Sequence, residues 1–152
     1  MKLQANRITG KRILLVEDER VVRETLRLLL SLDAHTVVEA NNGAEAFALF
    51  REGRFDLVVT DFEMPFVKGN ELAARIKRLV PQQPILMITA FAHKPGLDNP
   101  VDAVVHKPFN STRLQETMAE VLSRNGRKLA HASAMELDRI CTASETEIVP
   151  AL

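Results

Sequence analysis

The amino-acid sequence predicts an α/β protein: a parallel sheet of five strands with helices on both faces. Three observations lead there. Short apolar runs rich in β-branched residues alternate with longer amphipathic segments, and the alternation recurs five times. The short runs are apolar throughout instead of at every second residue, which suits strands covered on both faces. Polar residues of complementary kinds follow directly after four of these runs.

Taken in order, residues 13–16 (Ile-Leu-Leu-Val) form the first expected strand, and segment 19–32 carries Val22, Leu26, Leu29 and Leu30 at helical spacing. Residues 35–40 are the second strand. Asn41, Asn42 and Gly43 turn the chain into a helix bearing Ala44, Phe47, Ala48 and Phe50, which Gly53 is expected to end in a left-handed conformation. Residues 55–60 are the third strand. A loop with Pro65 and Gly69 leads to a helix carrying Leu72, Ile76 and Leu79, stopped by Pro81 because proline cannot donate to the helical ladder. Residues 85–88 and 103–105 are the fourth and fifth strands. The stretch between them, 90–102, holds Pro95, Gly96 and Pro100, so a loop or a turn or two is expected instead of a full helix. The last clear helix starts at Asn110 or Ser111 as N-cap, with Leu114, Met118, Val121 and Leu122 on one face. Gly126, Arg127 and Lys128 read as a helix exit or hinge, followed by a tail with room for one short helix at 135–141.

Composition narrows the function. The chain has 152 residues, enough for one domain with a tail and too few for two of ordinary size. Twenty Lys+Arg balance twenty Asp+Glu, so no overall positive field favours nucleic acid, and direct nucleic-acid binding is not expected. The single cysteine, Cys141, can form no internal disulfide, and no Cys/His cluster has structural-zinc spacing. No apolar run approaches the ~18 residues of a membrane helix, nor is there a signal peptide; a soluble cytoplasmic protein without membrane insertion is the expectation.

In open parallel sheets, ligands bind beyond the carboxyl ends of the strands. The first strand here ends in Glu17, Asp18 and Glu19, the third in Asp61, the fourth in Thr89 and the fifth in His106 and Lys107. Taken alone, Asp18 or Glu19 could simply cap the following helix, and Lys107 or Thr89 could be ordinary surface or strand residues. Brought to one rim, the acids would repel strongly unless a proton or cation lay between them, and hard oxygen ligands suit Mg²⁺. With an ammonium and a hydroxyl beside them, the set suits phosphoryl transfer onto Asp61.

Four ordered motifs and one glycine carry a family resemblance: Ile13-Leu-Leu-Val-Glu-Asp-Glu19, Asp56-Leu-Val-Val-Thr-Asp-Phe-Glu-Met-Pro65 with Gly69, Met87-Ile-Thr-Ala90, and Lys107-Pro-Phe109. The sequence over residues 11–124 resembles the receiver domain of bacterial two-component response regulators, with 125–152 as a C-terminal tail or linker. The resemblance implies a flavodoxin-like doubly wound sheet in the order 2-1-3-4-5. It further implies that Glu17 and Asp18 help hold Mg²⁺ together with Asp61 and the backbone carbonyl of Glu63. Asp61 would be the phosphoacceptor, and Thr89 and Lys107 would contact the phosphoryl group. The implied donor is a phosphohistidine on a sensor histidine kinase or phosphotransfer protein, and the implied role is a non-enzymatic switch acting on a downstream protein whose identity is unknown.

Two departures stand out. Such domains usually carry Tyr or Phe three residues before the lysine, whereas here the position is Val104. The interval from Thr89 to Lys107 is also shorter than usual by about one helical turn, so the family's helix between the fourth and fifth strands is expected to be reduced. No recognisable output domain follows, which points to a stand-alone protein acting by protein–protein contact or phosphorelay. Two alternatives remain from the sequence. An aspartate-nucleophile phosphatase would use Glu63 as its second acid, and a pseudo-receiver would use the fold without phosphorylation.

Overall fold

The computed structural model describes residues 7–91 and 99–144, and their side chains as far as residue 127. Five parallel strands, β1 (Arg12–Val16), β2 (Thr36–Ala40), β3 (Leu57–Asp61), β4 (Ile85–Thr89) and β5 (Ala103–His106), lie in the order β2-β1-β3-β4-β5. The helices are α1 (Arg20–Ser31), α2 (Gly43–Glu52), α3 (Gly69–Leu79) and α4 (Ser111–Ser144). This is the expected doubly wound topology.

Alternation along the strands decides which helix packs where. Ile13 and Leu15 of β1, Leu57 and Val59 of β3, and Leu86 and Ile88 of β4 face one layer. There they meet Leu26 and Leu30 of α1 and Leu114, Met118 and Val121 of α4. The intervening residues Leu14, Val16, Val58 and Ile85 face the other layer, against Ala46 and Phe50 of α2 and Leu72, Ala73 and Ile76 of α3. Every residue of β3 and β4 is buried, which is why their leading parts, 57–59 and 85–88, read as unbroken apolar runs. Each buried Leu or Ile contributes about 2 kcal/mol relative to exposure. The central strands therefore form a stiff floor under their carboxyl ends.

Local signals explain most boundaries. Asn42 caps α2 by accepting from the Glu45 amide at 2.8 Å, while the Glu45 carboxylate accepts from the Asn41 amide at 3.1 Å. Asn110 caps α4, accepting from the Arg113 amide at 2.8 Å. Gly53 does end α2, but in an extended conformation (φ −122°, ψ 175°) and not a left-handed one. A Cβ there would come within 3.2 Å of the Phe55 ring, so packing, not handedness, accounts for the glycine.

The C-terminal helix differs from expectation. Gly126 neither ends nor hinges it, and α4 continues as one helix to Ser144, past the short 135–141 segment anticipated in the tail. A single interior glycine costs about 1 kcal/mol relative to alanine, and the good helix formers around it outweigh that. Between β4 and β5, Phe91 and residues 99–102 are not helical. The expectation of a reduced helix there falls mainly on residues 92–98, outside the described residues.

Candidate functional site

The parallel strands deliver their polar ends to one rim, as β1 leads into Glu17 and Asp18 and β3 ends at Asp61. Carboxylate oxygens of Glu17, Asp18 and Asp61 all lie within 4.8 Å of one another. Glu17 is 2% exposed and Asp61 is also buried, whereas Asp18 is exposed. At that spacing and an effective dielectric of ~20, ionised carboxylates repel by about 3 kcal/mol per pair. Helix capping does not account for the acids of the β1–α1 turn. Glu19 holds the N-cap position of α1 without a side-chain cap bond, and its amide instead donates to Glu17 Oε1 at 3.1 Å.

Lys107 enters from the end of β5. Its Nζ lies 3.4 Å from Glu17 Oε2 and 3.7 Å from Asp61 Oδ1, so the ammonium faces the acids and not bulk water. The Lys107–Pro108 peptide is cis. Thr89, 3% exposed, ends β4; its carbonyl accepts from the Lys107 amide at 2.8 Å and its Oγ1 from the Phe91 amide at 3.1 Å. The Glu63 side chain is exposed, with Oε1 3.8 Å from Lys68 Nζ.

A family profile described as the response regulator receiver domain matches residues 13–119. The chain belongs to the response regulator receiver domain family.

Among its relatives, the phosphate regulon transcriptional regulatory protein PhoB of Pseudomonas aeruginosa is 34% identical over 125 residues, covering 78% of this chain and 55% of that protein. The transcriptional regulatory protein TcrA of Mycobacterium tuberculosis is 38% identical over 126 residues, covering 79% of this chain and 49% of TcrA. The chain thus spans about half the length of these relatives. A crystal structure of response regulator TrrA from Thermotoga maritima in complex with Mg²⁺-BeF is 35% identical with a TM-score of 0.70, covering 73% of this chain and 98% of that one. A CheY-like receiver domain from Methanospirillum hungatei is 27% identical with a TM-score of 0.73, covering 79% of this chain and 99% of that one.

Within this receiver domain, electrostatics follow from burial. Desolvation pushes the Glu17 carboxyl up to about 7. The Glu19 amide opposes that rise, Asp61 adds to it and Lys107 opposes it. Burial also raises Asp61, against the pull of Lys107 and of the Phe62 amide, which donates to Asp61 Oδ1 at 2.9 Å. Two crowded acids held above their ordinary range, with hard oxygen donors, fit a divalent cation such as Mg²⁺. Gly69 lets this turn close: a Cβ there would stand 2.1 Å from the Asp61 carbonyl oxygen.

Several participants were missed in the sequence. Arg23 of α1 donates from Nη1 to the Glu17 carbonyl at 2.9 Å and lies 3.5 Å from Glu39 of β2, bracing the loop that carries the acids. The only sequence signal was a cation one helical turn into an amphipathic segment, and that pattern reads as a solvated face. Phe62 and Phe91 meet edge to face at the rim, and His106 bonds the Phe91 carbonyl. Residues distant in sequence make these contacts, so no local pattern announces them. Val104 is partly exposed beside an open pocket shared with His106, Phe109 and Arg113, with no ring to occupy it.

Proposed function

We propose that this receiver accepts a phosphoryl group on Asp61 from a phosphohistidine of a sensor histidine kinase or phosphotransfer protein, with Mg²⁺ bound. The observation that carries the reading is Lys107 Nζ placed between Glu17 and Asp61, which lie 90 and 46 residues away along the chain. An ammonium anchored there neutralises acceptor charge and then binds a transferred phosphoryl oxygen.

An Asp61 carboxylate oxygen attacks phosphorus, forming the O–P bond as the N–P bond to the donor imidazole breaks; the imidazole leaves and takes up a proton. Lys107 and the Thr89 hydroxyl offset the charge gathering on the phosphoryl oxygens. Glu17, Asp18, Asp61 and the Glu63 carbonyl are the groups that would hold Mg²⁺, which when bound supplies further neutralisation. Lys107 and the Phe62 amide favour the ionised Asp61 that attack requires.

In this reading residues 11–124 are the receiver unit and 125–152 its C-terminal tail or linker, whose first part, as far as Ser144, continues α4. The chain turns over no substrate apart from slow hydrolysis of its own acyl phosphate. The output is protein–protein contact or phosphorelay, since Val104 cannot act as a rotating aromatic reporter. Less favourable to the phosphatase alternative is the Glu63 carboxylate lying beside Lys68, with Oε1 3.8 Å from Nζ. Among the described residues no helix is long and apolar enough to cross a membrane, which suits a cytoplasmic switch.

The test is incubation with Mg²⁺ and phosphoramidate, comparing the parent with Asp61→Asn by intact mass. One added phosphoryl group on the parent and none on Asp61→Asn is the expected result. An adduct on both, or on neither, rejects the assignment.

A further inference from the structure

Three contacts converge on Phe91, two residues beyond Thr89, and phosphoryl acceptance as described leaves them without a task. The Phe91 amide donates to Thr89 Oγ1 at 3.1 Å. The Phe91 carbonyl lies 3.0 Å from His106 Nδ1; because a carbonyl only accepts, Nδ1 carries the hydrogen. The Phe91 ring meets that of Phe62, the neighbour of Asp61, with centroids 6.1 Å apart at 66°. Lys68 Nζ lies 5.6 Å from the Phe62 ring centre, completing a short chain of contacts along the rim.

We infer that His106 is a positioning residue for the Thr89 hydroxyl, acting through the Phe91 backbone. The inference rests on the reading of Asp61 as phosphoacceptor. A hydroxyl has one hydrogen to donate and two lone pairs to accept with. The Phe91 amide occupies one acceptor position on Thr89 Oγ1, which leaves the hydroxyl hydrogen to donate elsewhere. A donor is what an anionic phosphoryl oxygen requires. His106 fixes the other side of residue 91 by taking its carbonyl, so the amide is held on target.

The arrangement separates hydroxyl aim from strand position. The Thr89 carbonyl is tied independently to the Lys107 amide at 2.8 Å, and Thr89 is in register with His106 across β4 and β5. Losing the His106 ring therefore leaves the strand end in place and frees only the segment that aims the hydroxyl. The His106 ring is exposed, so its replacement sacrifices little burial. A hydroxyl aimed before the phosphoryl group arrives suits a chain in which Val104 supplies no ring to swing. Such a site loads and unloads with little rearrangement, as a relay station requires.

The test compares the parent, His106→Leu and His106→Asn, with Mg²⁺ and saturating phosphoramidate, following the adduct by intact mass. Mg²⁺ affinity without phosphodonor and hydrogen exchange of the Phe91 amide are measured alongside. His106→Leu is expected to load about fivefold more slowly, the factor one neutral hydrogen bond carries. Its Phe91 amide is expected to exchange faster, with Mg²⁺ affinity unchanged. His106→Asn, whose amide can donate from the Nδ1 position, is expected to recover the parental rate. Parental loading by His106→Leu, or equally slow loading by His106→Asn, overturns the inference alone. A matching fall in Mg²⁺ affinity overturns it too, since His106 would then support the whole rim. No adduct on the parent overturns the phosphoacceptor reading and this inference with it.

Discussion

Moving the chain from about pH 5 to about pH 8 without divalent ions is expected to destabilise it, and Glu17→Gln is expected to remove most of that loss. A glutamate in an unfolded chain titrates near ~4.3, whereas burial pushes Glu17 up to about 7 in the folded one. The folded state therefore holds its proton more tightly. The resulting stabilisation is complete below the unfolded value and disappears as pH rises through 7. At about 1.4 kcal/mol per pH unit, the change across this window is about 2–3 kcal/mol. Asp61 contributes in the same direction, because burial raises it too. For an ordinary urea dependence of ~2 kcal/mol per molar, the midpoint falls by about 1 M between the two pH values. The assay is urea unfolding with chelator present, at constant ionic strength, for parent and variant. Subtracting the variant's profile cancels groups elsewhere, including His35, whose effect has the opposite sign. Parallel profiles for the two proteins, or a parent that gains stability over the variant as pH rises, would refute the assignment of Glu17 as a crowded acid whose titration burial pushes up.

Other consequences are simpler to measure. His35 is buried, and burial lowers its titration below the ordinary histidine value, with Nδ1 accepting from the Lys11 amide at 3.0 Å. Its stability contribution is present above ~6.5 and lost as pH falls through its depressed folded value, so His35→Gln is expected to flatten the acid limb of the urea midpoint profile. Gly69→Ala would force a Cβ to within 2.1 Å of the Asp61 carbonyl oxygen. A loss of about 3 kcal/mol by urea unfolding, with weakened Mg²⁺ binding, is the expected outcome, and parental behaviour would contradict the turn geometry. Gly126→Ala meets no atom within 4 Å and lies inside α4, so it is expected to stabilise the chain by about 0.5–1 kcal/mol and to raise helicity by circular dichroism. Lower helicity would mean that the helix does not run through that position.

Much of this molecule can be read directly from residue order. Unbroken apolar runs such as Ile85–Ile88 identify strands buried on both faces, because a sheet covered by two helix layers leaves no polar side. Asn42 and Asn110 mark helix starts because capping chemistry lies within three residues of the cap. The residue types of the candidate site were legible as well, since Glu17, Asp18, Asp61, Thr89 and Lys107 each stand at or just beyond the carboxyl end of a strand. What local order could not show is the contact between them. The 3.4 Å approach of Lys107 to Glu17 exists because the crossover connections place β1, β3, β4 and β5 side by side.

The same reasoning covers the misreadings. The Gly126 exit assumed that glycine ends a helix wherever it stands, but neighbouring propensity is summed over the whole segment. The left-handed Gly53 overlooked the Phe55 ring, which folding brings against it. Pattern along the chain sets which segments become strands and helices and which chemical groups sit at their ends. Long-range packing sets distances, burial and therefore charge: Glu17 is an ordinary glutamate until β3 and β5 bring Asp61 and Lys107 beside it and water is excluded.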